Sequence, residues 1–335
     1  MQDQTASLAS PFLCPEFAIA VDRFRAGARV AVLAEGPAIV GFFPFERHRF
    51  GIGVPIGAGL NDCQGLIHAP GAEWDPAELL RACQIATWEF DHLVEGQRPF
   101  DRYRTTTAPT PVIDLSDGFA TYWEKLQVKS PQFCRDTARK ARKLGREAGE
   151  LNFAVDSRNM AELRALMSWK SLQYRRSGWP DVFDRAWIVD LVDYLFGIHS
   201  DRFGGLLSVL YAAGSPVAAH FGLRAGPVLA DWFPAYDTRF GKQSPGLIQS
   251  LRMAEQAADL GVRMIDMGKG QQRHKETLKS HDLFVAEGVV ARGRLAASAN
   301  RAGSALASQA RRKVKQYPPL FRAADRLLRH YGRVG

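Results

Sequence analysis

Residues 228–260 read VLADWFPAYDTRFGKQSPGLIQSLRMAEQAADL and hold a strand, a turn and a helix in succession. Val228–Phe233 is an apolar, strand-like run. From Gly246 to Leu260 the apolar residues Leu247, Ile248, Leu251, Ala254 and Ala258 recur at helical spacing, and Gly261 stands at the stop. A strand that turns directly into a helix brings unpaired N–H groups and the positive end of the helix dipole to one place, which suits a phosphate. Pro245 fits a first helical position, and Gly241 and Gly246 let an anion approach the backbone. Arg239 and Lys242 add charge, and Gln243 and Ser244 add polar groups. The plainer alternative is a solvated loop ahead of an ordinary Ser-Pro helix start.

The flanking sequence puts this unit in a larger α/β pattern. Upstream, Leu206–Tyr211 and Val217–Leu223 read as strands, and the short connections AAGSP and RAGP predict an antiparallel meander. Before them come a basic helix over Pro131–Ala148 with Gly149 past its end, a strand over Leu151–Val155, and helices over Met160–Arg176 and Arg185–Phe196, the last capped by Asp184. Downstream are a strand (Arg263–Met267), a short helix (Gln272–Lys279) and a strand (Leu283–Val290). Residues 151–290 thus run β-α-α-β-β-β-α-β-α-β. In the first part, Arg29–Ala34 and Ala38–Phe45 read as strands about Gly36-Pro37, GIGVPIGAGLND follows, and a helix is expected from Pro76 to Glu95 with Asp75 as its cap. Val112–Leu115 reads as a short strand. The expected layout is an α/β fold with a mixed sheet: a half over 1–115, a half over 116–291, and a basic helical tail over 292–335.

The 335 residues, 46% apolar and 24% charged, have the makeup of a folded globular chain. No apolar run approaches the ~20 residues that cross a bilayer, and the first ten residues lack a basic-then-apolar export signal, so a cytoplasmic location is expected. Four dispersed cysteines favour neither a disulfide framework nor a zinc site. The net charge of +9 is concentrated: residues 292–335 carry eleven Lys or Arg against Asp325 alone, which leaves the body near −1. A near-neutral body argues against DNA as partner. In the tail, Leu320, Ala324, Leu327, Leu328 and Tyr331 recur at helical spacing, with Arg322, Arg326 and Arg329 on another side. That pattern fits a helix docked on the body, or one held by an anionic membrane surface or a nucleotide messenger.

Trp232-Phe233-Pro234-Ala235-Tyr236-Asp237, Ser244-Pro245-Gly246-Leu247, and Ile265-Asp266-Met267-Gly268-Lys269-Gly270 with Lys275 resemble the CelD/BcsL-type GNAT acetyltransferases of bacterial exopolysaccharide pathways. GAGLNDCQGLIHAP, residues 57–70, resembles the segment those proteins carry in their first half. The resemblance implies two GNAT-like halves related to Fem-type transferases, with the second keeping the acyl-CoA loop. It implies acetyl-CoA as co-substrate and an amino group on a sugar, sugar-nucleotide or lipid-linked precursor of a surface polysaccharide as acceptor. A non-catalytic GNAT-like module that binds a nucleotide or scaffolds a polysaccharide machine is the alternative. Fem-type transfer from aminoacyl-tRNA fits the near-neutral body less well.

Acyl transfer needs a base for the acceptor and a proton for the departing thiolate. His220 is a base candidate because an ordinary imidazole titrates near neutral pH; a histidine satisfied inside a sheet is the other reading. Asp231, flanked by Ala230 and Trp232, is a second base candidate with an expected raised pKa, or a group that caps a turn or pairs with Arg224, and strand alternation puts Asp237 on its face. His274 stands where many GNAT enzymes carry the tyrosine that protonates the thiolate, so the resemblance makes it the acid. Asp266, at a strand end, and Lys275 read as substrate-binding groups or as an ion pair. Trp232, Tyr236 and Trp179 read as platforms for a sugar or as core aromatics.

Overall fold

The computed structural model describes residues 1–2, 5–57 and 59–292. The tail expected over 292–335 lies, apart from Arg292, outside the described residues. In chain order the elements are α1 (Pro15–Phe24), β1 (Ala28–Glu35), β2 (Ala38–Arg47), β3 (Ile52–Pro55), β4 (Ile67–His68), α2 (Pro76–Ala82), β5 (Thr87–Val94) and β6 (Arg104–Asp114). Then follow α3 (Gly118–Lys129), α4 (Pro131–Ala148), β7 (Leu151–Ala154), α5 (Met160–Ser177), α6 (Ala186–Gly197), β8 (Phe203–Ala212), β9 (Ser215–Ala225), β10 (Val228–Tyr236), α7 (Pro245–Asp259), β11 (Met264–Asp266), α8 (Arg273–Leu278) and β12 (His281–Ala291). From residue 151 onward this is the order expected from periodicity.

All these strands join one mixed sheet in the order β1-β2-β3-β5-β12-β6-β11-β10-β9-β8-β7, with β4 added onto β2. The meander β8-β9-β10 is antiparallel, as the short turns demand. Both its faces are covered. Leu207, Val209, Phe221 and Leu223 pack with Leu163, Leu166, Ile188 and Leu191 of α5 and α6, while Leu206 and Leu229 pack with Met253, Ala254 and Ala257 of α7. Burial on both sides is why β8 is apolar throughout rather than alternating. No helix among the described residues is long and apolar enough to cross a membrane.

Where strands from the earlier and later parts of the chain meet, they are interleaved. β6 lies between β12 and β11, and β12 lies between β5 and β6. The prolines of β6 fit because their missing N–H groups face away from β12. On that other edge the Pro109 and Pro111 carbonyls accept from Gly270 and Met267, and full pairing with β11 begins only at Val112.

Two expectations are corrected. The helix from Pro76 is capped as predicted, Asp75 accepting from the Ala77 and Glu78 N–H groups, but it ends at Ala82 rather than Glu95. Gln84 at φ 55 breaks the helical path, and the alternating Thr87–Val94 run becomes β5. The cap position of α6 is Arg185, without a side-chain bond, while Asp184 sits in a short turn that Asp181 caps through Phe183 N–H.

Candidate functional site

The sheet opens at β10 and β11. These parallel strands pair over only three positions, from Val228↔Met264 to Ala230↔Asp266, whereas β10 continues along β9 to Tyr236. At the point of divergence β10 bulges, Ala230 pairing with Leu223 and Phe233 with Phe221, so that Asp231 and Trp232 together oppose Gly222. A Cβ on Gly222 would run into the Ala230 carbonyl oxygen and would lie 2.6 Å from His220 Cε1. The glycine is what lets the bulged backbone come so near.

On one side of the opening stands the start of α7. Ser244 is left-handed at φ 51 and makes no side-chain cap; its hydroxyl instead accepts from Lys140 Nζ of α4 at 2.9 Å. The first N–H groups of α7 are therefore left without a side-chain acceptor, with an ammonium beside them. Gly241 and Gly246 have no positive φ, and their nearest neighbour is the Tyr236 ring, 3.8 and 3.4 Å from an added Cβ. Neither backbone strain nor crowding requires glycine at position 241. Arg239 is 81% exposed and folds back on Asp237, which also accepts the Arg239 N–H at 2.9 Å. Lys242 is exposed, and Gln243 donates to Glu147.

On the other side stand the acid–base groups. His220 Nε2 lies 2.9 Å from Asp231 Oδ1, with the ring N–H off the hydrogen-bond line. His220 is completely buried, whereas 13% of the Asp231 side chain is exposed. Burial opposes the Asp231 charge, but His220, Lys275 and Lys170 outweigh it and hold the carboxyl below its usual range. Lys170 of α5 donates to the Pro234 carbonyl at 3.1 Å, and burial pulls its pKa down to about 8 against the attraction of Asp231. Burial, with Lys275 and Lys170 nearby, also holds His274 below the ordinary imidazole value despite Asp231.

A seam with the earlier part of the chain closes the site. Asp266 Oδ1 accepts from Thr110 of β6 at 2.7 Å and from Gly268 N–H at 2.9 Å, and Lys275 Nζ donates to the Gly268 carbonyl at 3.0 Å. Burial pushes the Asp266 carboxyl up, and Thr110, Gly268 and Lys275 only partly offset it. Asp62, from the segment 57–70, is raised by burial too; it feels Lys275 and Asp266 from across the seam.

The structure therefore brings His220, Asp231, His274, Asp266 and Lys275 into one neighbourhood and changes what several of them can do. His220 is too deep to touch an acceptor. Asp231 is ionised more readily than expected, because three positive or protonatable partners face it. His274 favours its neutral form, which is a poor proton source. Asp237 does not share the Asp231 face: the bulge shifts the alternation, and Asp237 caps a turn and pairs with Arg239. Trp232 is core, packed on Phe12, Phe17 and Phe233, with its indole N–H on the Leu60 carbonyl at 3.0 Å. Tyr236, 37% exposed over the loop glycines, stays accessible, as does Trp179. Sequence reasoning missed Lys170, Asp62 and His92. Lys170 had a signal, since it falls four, three and seven residues after Leu166, Met167 and Leu163, on the buried stripe of its helix.

Residues 132–276 match the family model described as an acetyltransferase (GNAT) domain. No curated protein matches the chain. Similar solved structures include FemX, at 10% identity over 82% of this chain and 90% of that one with a TM-score of 0.54. A conserved protein of unknown function from Bacteroides thetaiotaomicron has 10% identity over 86% and 93%, with a TM-score of 0.53. The C-terminal DUF2156 domain of an Agrobacterium fabrum protein has 11% identity over 86% and 91%, with a TM-score of 0.51. At such identities the likeness is one of fold.

Proposed function

We propose that this GNAT-type acyltransferase moves an acyl group, most simply acetyl, from coenzyme A to the amino group of an amino-sugar precursor of a bacterial surface polysaccharide. One observation carries the reading: β10 and β11 part after three residue pairs, with the uncapped start of α7 on one side of the gap and Lys170, Asp231 and Lys275 on the other. A helix start suits a pyrophosphate, and a gap between strands suits an extended acyl chain. The acceptor class rests on the CelD/BcsL resemblance of residues 57–70 and 232–275.

In this reading Gly241, Ser244, Gly246, Lys140 and Lys242 hold the phosphate end. Arg239 joins them by swinging off Asp237. Lys170 protonates the departing thiolate, because burial brings its pKa down to about 8 while Asp231 helps keep the ammonium charged, whereas His274 is held in its neutral form. His220 acts behind Asp231 as a positioning residue.

Two outcomes test it. Coenzyme A is expected to raise the unfolding midpoint, and Gly241→Val with Lys242→Glu is expected to weaken binding at least tenfold without lowering the midpoint of the free protein. At a hundred times the dissociation constant, wild-type stabilisation is about 2.7 kcal/mol, and a tenfold loss roughly halves it. Absence of any shift at millimolar coenzyme A removes the reading. The second outcome concerns pH. A donor must be protonated, so turnover is expected to fall as pH rises past about 8, the Lys170 value. Lys170→Met should abolish that limb and lower turnover about 10²-fold, while His274→Phe should keep the limb. A limb retained in Lys170→Met excludes Lys170 as donor.

A further inference from the structure

The proposed transfer needs a group that takes a proton from the incoming amine, and neither base read from the sequence suits. His220 is enclosed, and His220, Lys275 and Lys170 hold the Asp231 carboxyl below its usual range, which makes its carboxylate a weak proton acceptor. A different arrangement stands beyond Lys275, on the part of the chain before residue 116. Asp91 and His92 are neighbours on β5, and Asp91 Oδ1 lies 2.9 Å from His92 Nδ1. Buried Gln64 fixes both: its Nε2 donates to Asp91 Oδ1 at 2.7 Å, and its Oε1 accepts the Asp91 and His92 N–H groups at 2.9 and 3.1 Å. With Nδ1 engaged, the imidazole turns Nε2 toward Asp62 Oδ1, 3.6 Å away.

Asp62 is placed to meet a substrate. One third of its side chain is exposed. Its Oδ2 is 3.4 Å from the point where a Cβ would stand on Gly268, and Lys275 Nζ is 4.0 Å from the same point. Asp62 thus faces His92 and Asp91 of β5, Asp266 at the end of β11, Lys275 of α8 and Tyr174 of α5. Asp266 is less free for the task, since Oδ1 takes two hydrogen bonds and Oδ2 lies 3.9 Å from the buried Cys63 thiol. A carboxylate backed by an imidazole, itself oriented by a second acid, has the parts of a proton relay.

We propose that Asp62 is the general base of the transfer and that the His92–Asp91 pair receives the proton from it, so both halves of the chain serve one reaction. This rests on the acyl-CoA reading above. The acceptor arrives as an ammonium and gives one proton to Asp62, which passes it to His92 and then to solvent. The freed lone pair forms the N–C bond, the C–S bond breaks as the thiolate takes a proton from Lys170, and the second proton on nitrogen passes to the neutral Lys170 amine left behind, which restores its ammonium. Burial, which raises the Asp62 carboxyl, makes it a better acceptor than an exposed aspartate. Asp62 touches the substrate; His92 and Asp91 act through it and are positioning residues.

The experiment compares two nucleophiles by thiol release from acetyl-CoA: glucosamine, within a panel of primary amines, and hydroxylamine, which is already unprotonated at neutral pH and needs no base. Asp62→Asn is expected to lower the amine rate about 10²-fold and to lower the hydroxylamine rate much less. Asp62→Glu is expected to recover part of the amine rate. His92→Gln should also lower amine turnover selectively and displace the acidic limb of its pH profile. Equal losses for both nucleophiles, or no loss, overturn the proposal. Wild-type turnover with hydroxylamine but with no amine overturns it while leaving acyl-CoA use intact. Turnover with neither overturns both readings.

Discussion

Gly222→Ala is expected to unfold the protein or leave it without activity, although it adds a single methyl group. The new Cβ would run into the Ala230 carbonyl oxygen and crowd the His220 ring at 2.6 Å. That oxygen has nowhere to go, because Ala230 of β10 is paired on both sides, with Leu223 of β9 and Asp266 of β11, and β9 is itself held by β8. The strain can be relieved only by undoing the bulge, which rotates Asp231 and Trp232 out of place, and a cost above about 4 kcal/mol is expected. Gly241→Ala is the control: its Cβ would make one ordinary contact, 3.8 Å from Tyr236, and stability should change by only a few tenths of a kcal/mol. Denaturant midpoints and coenzyme A binding of the two variants are the measurement. A Gly222→Ala protein with wild-type midpoint and turnover would show that the bulge is dispensable.

Trp232→Ala is expected to cost about 4–8 kcal/mol. Truncating a buried aromatic loses about 3–5 kcal/mol, and the Leu60 carbonyl that accepted the indole N–H is left in the interior without it, for about 1–3 more. Phe12, Phe17 and Phe233 would line the resulting cavity. The loss should appear in the denaturant midpoint of the free protein. Trp232→Phe, which keeps most of the volume, should lose about 1–2 kcal/mol with an unchanged acceptor KM. A raised KM with an unchanged midpoint would return Trp232 to the substrate-binding groups.

Legibility in the sequence followed the type of signal. α4 was read to its last residue, because Pro131 and Gly149 bracket it and its apolar residues sit on one stripe. The β7-to-β12 order was legible because turns and periodicity agree there. β5 was lost because Leu79, Leu80, Cys83 and Ile85 prolong a helix-like spacing past the true stop at Ala82. β6 was read only over its last residues because its prolines suggest a break, and only the neighbouring strands show that the affected edge faces a loop. Within the site, residue type was legible and depth was not. Nothing in the neighbours of His220 along the chain distinguishes a buried imidazole from a reachable one. The Asp231–Asp237 alternation failed because a bulge is set by what lies across the strand, here Gly222. Asp62 and His92 carry no local pattern at all; they meet Asp266 and Lys275 only because β5, β6, β11 and β12 share one sheet.

The interleaving of β6 and β12 bears on how the chain becomes a protein. His281 pairs with Val112 and Gly288 with Arg104, so about half the chain's length separates strands that lie side by side. Closing such a loop costs entropy before any contact is made, and slow folding is the usual result of a topology rich in distant pairings. During synthesis β6 emerges long before β11 and β12, the strands on its two sides. Until β11 has left the ribosome both edges of β6 stay open, and the edge that β12 covers stays open until residue 291 has emerged, so the nascent chain presents an unpaired strand edge that other chains can pair with. Expression at lower temperature or with chaperones is therefore expected to raise the soluble yield, and a chain stopped before His281 is expected to aggregate rather than fold as a smaller unit.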